Sequence, residues 1–114
     1  MLTMDALRDY GADVKEGLGR CINNEAFYLR MVGMAVKDEK IAALAAALEK
    51  NDLDQGFELA HALKGMYANL ALTPLSAPLS EITELLRART EMDYGPLMEE
   101  ITAQKAKLDA LAAG

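Results

Sequence analysis

Apolar residues recur every three or four positions through most of the chain, and this spacing constrains the fold more than any other feature. Residues three or four apart lie on one face of an α-helix. Three of the clearest sets are Phe27, Met31, Met34, Ile41, Ala45 and Leu48; Leu75, Leu79, Ile82 and Leu86; and Leu97, Ile101, Leu108 and Leu111. The pattern therefore predicts amphipathic helices, each with one buried face.

The composition favours an all-helical protein of one domain. The chain has 114 residues, of which 52% are hydrophobic, with three prolines and no tryptophan. Ala, Leu and Met are the most frequent hydrophobic residues, and unbranched side chains lose little rotamer freedom in a helix. A chain of this length buries roughly two thirds of its unfolded surface, so we expect a single domain over residues 1–114 with its own core.

Capping residues divide the amino-terminal half into helices. Thr3 and Asp13 are predicted to cap two short accessory helices within residues 3–20. One long helix should follow from Asn23 or Asn24 to Lys50, as the first element of a bundle over residues 24–112. The charged run at 37–40 lies in its middle; we interpret it as a solvated face, with a kink or break as the alternative.

Three further helices are predicted after this one. Asp54 should cap the first, and Thr73 with Pro74, or Ser76 with Pro78, should begin the second, because proline suits the first turn of a helix. The last should run from Pro96 to about residue 112. Amphipathic helices joined by short turns predict an all-α fold, an antiparallel up-down four-helix bundle with one or two accessory helices.

Charge and cysteine content narrow the partners and the compartment. A formal net charge of −6 opposes binding to a phosphate backbone, so we expect no nucleic-acid partner. Cys21 is the single cysteine and cannot form an intrachain disulfide, which favours a cytoplasmic protein. The sequence has no apolar run of signal-peptide or membrane-spanning length, so we expect no membrane partner. Residues near Met1 resemble a natural start.

The only histidine, His61, lies in the stretch AHALKGMYANLAL, residues 60–72. At 100° per residue the predicted core stripe of this helix consists of Leu59, Ala62, Leu63, Met66 and Leu70. His61 then lies roughly 160° from the centre of that stripe. A lone helical histidine is usually structural or incidental, but a core histidine would lie within the stripe. The alternative to a functional role is therefore an incidental surface histidine.

The residues predicted to share the outward face with His61 are small or apolar: Phe57, Ala68 and Leu72, with Lys64 one turn from His61 and Gly65 at the edge. A solvated face would carry more Glu, Lys and Gln. Gly65 costs about 1 kcal/mol relative to Ala inside a helix, and its missing Cβ lets another molecule approach the backbone. These features predict a docking surface around one imidazole and one ammonium group.

The segment HALKG, residues 61–65, resembles the H-x-x-K-G signature of histidine-containing phosphotransfer (HPt) domains, the helical carriers of two-component phosphorelays. The resemblance extends from about Tyr10 to Arg87. Met66 and Ala71 depart from it, because family members often have a small residue after the Gly and a Gly after the Leu. Neither departure removes a chemical group.

The resemblance implies a phosphocarrier without its own ATP site. His61 would accept a phosphoryl group on a ring nitrogen, expected to be Nε2, from a receiver aspartyl phosphate and pass it to another receiver, while Lys64 would stabilise the phosphoryl oxygens. The implied partners are response-regulator receiver domains and an upstream sensor or hybrid histidine kinase. We expect them to dock on Phe57, Gly65, Ala68, Asn69 and Leu72. We expect no cofactor or metal on this chain, since Mg²⁺ should arrive with the receiver.

Two alternatives belong to other functional classes. One is a non-phosphorylated helical adaptor or interaction module with the same fold. The other is an enzyme, either a histidine kinase or a cysteine hydrolase. The sequence has no Gly-rich nucleotide loop and is too short for an ATP-binding domain as well. Cys21 has no evident orienting partner and is expected to be a buried or half-buried structural residue.

Overall fold

The computed structural model describes residues 1–113, and all regular secondary structure in this range is helical. The helices are α1 (Met4–Tyr10), α2 (Val14–Arg20), α3 (Glu25–Val36), α4 (Lys40–Glu49), α5 (Leu53–Asn69), α6 (Thr73–Arg87) and α7 (Gly95–Ala113). The predicted all-α class is confirmed. Within residues 1–113, no helix is both long enough and apolar enough to cross a membrane.

The two accessory helices begin at the predicted capping residues and lie within the predicted range. The hydroxyl of Thr3 caps α1, which ends at Gly11 in the left-handed conformation with φ 111°. The Asp13 carboxylate caps α2 by accepting from the backbone N–H of Glu16 at 3.1 Å. The backbone N–H of Asp13 donates to the carbonyl of Ala71 at 2.9 Å, which ties α2 to the turn after α5.

The single long helix predicted over residues 24–50 is wrong, because the chain breaks into α3 and α4 at residues 37–39. The Asp38 carboxylate accepts from the backbone N–H of Lys40 at 2.8 Å and pairs with its ammonium group at 2.7 Å. Burial pushes the pKa of Asp38 upward, but hydrogen bonds from Lys40 and the positive charges of Lys40 and Lys105 outweigh it, so the pKa lies below its usual value. The charged run is therefore a helix boundary, the alternative interpretation, although Lys37, Glu39 and Lys40 are exposed to solvent.

A side chain from α7 completes this break. The Lys105 ammonium group donates to the carbonyl of Val36, the last residue of α3, at 2.8 Å, and pairs with Asp109 at 2.7 Å. An interrupted helix leaves its last carbonyls without intrahelical partners, and a cation at this end also interacts favourably with the helix dipole. Lys105, which is distant in sequence, therefore stabilises the break between α3 and α4 electrostatically.

The start of α5 is also corrected. Asp52, and not Asp54, caps this helix by accepting from the backbone N–H of Gln55 at 3.1 Å. Asp54 lies in the first turn and pairs with Arg89 at 2.6 Å. The next helix, α6, begins at Thr73, the first of the two predicted starts, so that Pro78 lies inside it.

The core lies between the helices from α3 to α7. Helix α4 packs against α5, α5 against α6 and α6 against α7, which also contacts α3 and α4; α1 packs on α7, and α2 on α1 and α3. The predicted apolar face of α6, consisting of Leu75, Leu79, Ile82 and Leu86, is fully buried. In α7, Ile101 and Leu108 are buried, whereas Leu97 and Leu111 are only half-buried. The helical bundle is confirmed, and an up-down order of four single helices stays a prediction.

Buried tyrosines join α3 to α5 and to the turn that follows it. The Tyr28 hydroxyl donates to the carbonyl of Leu70 at 2.8 Å, and the Tyr67 hydroxyl donates to that of Ala35 at 3.2 Å. Burial, the first cause in each case, raises the pKa of Tyr28 to about 12 and that of Tyr67 further. Both hydroxyls are therefore neutral donors at physiological pH.

Candidate functional site on helix α5

His61 is exposed on α5, as the helical periodicity predicted. The predicted core stripe is partly wrong, however. The buried residues of α5 are Gly56, Ala60, Leu63 and Tyr67, whereas Ala62 is exposed and Leu59 and Met66 are half-buried. Small residues at two of these positions let neighbouring helices approach, since a Cβ on Gly56 would lie 3.3 Å from a methyl of Leu48. His61 still lies roughly 130° from the centre of the observed buried face.

Most residues predicted to share the outward face do lie there. Gly65, Ala68 and Asn69 are exposed, and Phe57 and Lys64 are half-buried. A Cβ built on Gly65 meets no atom within 4 Å in the described residues, so there is open space beside the imidazole. These positions form one continuous strip along α5.

Leu72 is the exception, because its side chain is fully buried. The helix ends at Asn69, and the chain reverses through Ala71, whose φ of 55° is left-handed. Leu72 therefore lies beyond the helix, where helical periodicity no longer applies, and it is the cap residue of α6. Its predicted place on the docking face is wrong.

The imidazole of His61 stacks on the ring of Phe57, one helical turn earlier. The ring centroids are 5.5 Å apart and the planes are inclined by 15°. Within residues 1–113, neither ring nitrogen of His61 has a hydrogen-bond partner. In the same range the Lys64 ammonium group makes neither a hydrogen bond nor an ion pair. The imidazole and the ammonium group are thus both available for contact with another molecule.

Two guanidinium groups from the end of α6 and the turn after it surround Phe57. The guanidinium carbon of Arg87 lies 5.0 Å from the ring centroid, and that of Arg89 lies 5.3 Å from it. Arg87 Nε donates to Glu84 at 2.9 Å, and Arg89 Nε donates to Asp54 at 2.6 Å. The Phe57 and His61 pair therefore lies beside two cations that carboxylates already hold in place.

Glu84, on α6, lies close enough to Lys64 and His61 to interact with both electrostatically. The hydrogen bond and charge of Arg87 lower the pKa of Glu84, and the charge of Lys64 lowers it further. Sequence reasoning missed Glu84, Arg87 and Arg89 as neighbours of His61. The spacing of Glu84 and Arg87 indicates a pair on one helix surface, but nothing local indicates that this surface faces α5.

Asn69 links the carboxyl end of the strip to an accessory helix. Its side-chain oxygen accepts from Arg20 at 3.3 Å, and Arg20 also pairs with Glu16 at 3.1 Å.

Cys21, which follows Arg20 in the sequence, is buried and free, as predicted. In the part of the chain from 1 to 113, no three His, Cys, Asp or Glu side chains form a group that could hold a metal ion.

An exposed helical histidine followed by lysine and glycine, on a bundle of this size, defines the class of histidine phosphotransfer modules. A model of the Hpt domain matches residues 37–114, which is more than half of the chain and includes His61 and Lys64. The chain belongs to the Hpt domain family, whose members carry phosphoryl groups in phosphorelays that contain histidine kinases and receiver domains. No curated protein and no solved structure matches the chain. The resemblance noted for residues 10–36 lies outside the family match.

Proposed function

We propose that this protein is a phosphorelay carrier that accepts a phosphoryl group on His61 from a receiver aspartyl phosphate and passes it to a second receiver. The observation that carries the proposal is the imidazole itself. It is exposed on a packed helix, and both ring nitrogens are without partners among residues 1–113. A neutral imidazole is an effective nucleophile near neutral pH.

In the proposed step, Nε2 attacks the phosphorus atom of the receiver's aspartyl phosphate. A phosphorus–nitrogen bond forms while the bond from phosphorus to the aspartyl oxygen breaks, and the aspartate leaves as a carboxylate with that electron pair. The reverse step delivers the group to the next receiver. Phosphoryl transfer requires mainly position and countercharge, and the Lys64 ammonium group would supply a positive charge one turn from the imidazole.

The exposed strip formed by Gly65, Ala68 and Asn69 is the proposed receiver-docking surface. A receiver must bring its phosphoryl group within about 3 Å of the imidazole, in line. Small side chains beside His61 would allow this approach. The Mg²⁺ ion would come with the receiver. A cytoplasmic location is proposed as well, because the single cysteine cannot form an intrachain disulfide.

The test is incubation of the protein with a phosphorylated receiver, followed by acid and base treatment of the labelled product. Phosphohistidine is acid-labile and base-stable, so we expect label that survives base and is lost in acid. A protein that binds the receiver but takes no label would instead be an adaptor. An acid-stable label would assign the phosphoryl group to another residue type.

A further inference from the structure

We propose that Phe57 is a positioning residue for phosphoryl transfer, holding the imidazole of His61 in one orientation. This inference rests on the function proposed above. It differs from the docking role that sequence analysis assigned to Phe57, because the ring would act through His61 and not through contact with the receiver.

The first argument is the freedom of an exposed histidine. Its ring can turn about two side-chain torsions, one with three staggered wells and one that is roughly two-fold. In-line transfer requires the reacting nitrogen to point at phosphorus, so only part of this range is productive. The nearly parallel stack on Phe57, with planes 15° apart, selects one orientation.

The second argument is that Phe57 is itself held. Phe57 is half-buried and packs against the hydrophobic core, which restricts the movement of its ring. Arg87 and Arg89 lie 5.0 and 5.3 Å from its ring centroid, a separation at which cations are attracted to aromatic rings. A ring held by the core and by two cations can restrict the orientation of a neighbour in a way that a free side chain cannot.

The third argument is that the cations are also anchored. Glu84 holds Arg87, and Asp54 holds Arg89. The first pair belongs to α6, while the second joins the residues after α6 to the first turn of α5. The orientation of the imidazole is thereby connected to the packing of two helices.

A positioning role and a docking role predict different kinetics. Loss of a docking contact would raise the receiver concentration needed for half-saturation. Loss of a positioning contact would leave that concentration unchanged and lower the transfer rate at saturation, because the bound complex would reach the in-line geometry less often.

The experiment measures single-turnover transfer from a phosphorylated receiver over a range of receiver concentrations, for wild type, Phe57→Leu and Phe57→Tyr. We expect Phe57→Leu to lower the saturating rate roughly five-fold, close to the upper bound of about six set by three wells of one torsion and two of the other. Half-saturation should stay within about two-fold of wild type, and Phe57→Tyr should restore the rate. Phe57→Met is a second non-aromatic variant in case Phe57→Leu does not fold.

Phe27→Leu is the matched control. Phe27 lies on α3, is 36% exposed and has the Arg30 guanidinium 5.8 Å from its ring centroid. The substitution therefore removes another ring with a nearby cation but no stack on His61, and the transfer rate should not change. A five-fold loss in this variant would mean that the effect of Phe57→Leu is not specific to the stack.

Nuclear magnetic resonance gives a second measurement that does not depend on phosphorylation. In Phe57→Leu, the ring-proton resonances of His61 should move toward those of an unstacked histidine, while Phe57→Tyr should keep them near wild type. Unchanged resonances in Phe57→Leu, or a loss of affinity with the saturating rate intact, would overturn the positioning role alone. A wild-type protein that accepts no phosphoryl group would overturn the proposed function, and with it any role of Phe57 in transfer.

Discussion

The hydroxyl of Tyr67 donates a hydrogen bond to the carbonyl of Ala35, 3.2 Å away, from the buried face of the same helix that exposes His61. The side chains of Tyr67 and Ala35 are both buried, and the hydrogen bond joins α5 to the last turn of α3. Rotation of α5 about its axis would break the bond and leave the buried hydroxyl of Tyr67 without its acceptor. The outward direction of His61 is therefore determined by the core beneath it.

His61→Gln should abolish phosphoryl acceptance. Glutamine is polar and of similar size, so an exposed position should accept it without loss of stability, but its amide is not a nucleophile for phosphoryl transfer. The measurement is label incorporation from a phosphorylated receiver together with a thermal melt. Label that persists in a variant with a normal melt would disprove the assignment of His61.

Lys64→Ala should slow transfer roughly ten-fold or more, which corresponds to the loss of one charge-assisted contact in the transition state. Its melting temperature should stay close to wild type, because Lys64 makes no ion pair within residues 1–113. Lys107→Ala, which removes an exposed lysine from α7, is the control for net charge. Equal rates in both variants would show that Lys64 contributes only to overall charge.

Ala68→Arg should obstruct receiver docking. Ala68 is exposed and lies roughly 20° around the helix from His61, so a long charged side chain there would meet the approaching partner. Ala62→Arg is the matched control, because Ala62 is also exposed but lies roughly 100° from His61. We expect transfer to fall strongly only in Ala68→Arg, with both melts near wild type. Unimpaired transfer in Ala68→Arg would place the docking face elsewhere.

Gly17→Ala should destabilise the fold. A Cβ at this position would lie 2.6 Å from the Tyr28 ring and 2.8 Å from the carbonyl oxygen of Leu70, and the backbone oxygen cannot move aside easily. We expect a loss of about 1–3 kcal/mol in the free energy of unfolding, typical of overpacking. Gly19→Ala in the same helix meets nothing within 4 Å in residues 1–113 and should be neutral or slightly stabilising. Denaturant unfolding of the pair checks both expectations.

Asp38 should contribute to loss of stability in acid. Its pKa lies below the usual 3.8 in the folded protein, despite burial, because of Lys40 and Lys105. The folded state therefore binds this proton less readily than the unfolded state, so the contribution is fully present above pH 3.8 and is lost as the pH falls through the folded pKa. Asp38→Asn should be less stable near pH 7, with a smaller difference from wild type at low pH. An equal difference at both pH values would contradict this.

Short-range signals in the sequence determined most helix boundaries and the direction of His61. Thr3, Asp13 and Asn24 cap their helices through backbone N–H groups three residues away, so the whole interaction lies within one turn of chain. The four buried leucine and isoleucine side chains of α6 follow from periodicity alone, whereas the buried Thr83, whose hydroxyl donates to the carbonyl of Leu79 at 2.6 Å, does not. His61 lies roughly 160° from the centre of the predicted core stripe and roughly 130° from the centre of the observed buried face, so both place it on the exposed side of the helix.

Only the tertiary structure decided the features that depend on residues distant in sequence. The break between α3 and α4 includes Lys105 from α7, and the environment of His61 includes Arg87 and Arg89, which no local pattern connects to it. Tyr67 can be buried because its hydroxyl donates a hydrogen bond to a carbonyl on α3. Leu72 is buried because the chain reverses before it. Periodicity assigns residues to the face of a helix, whereas the partner of that face is determined by the packing of the whole core.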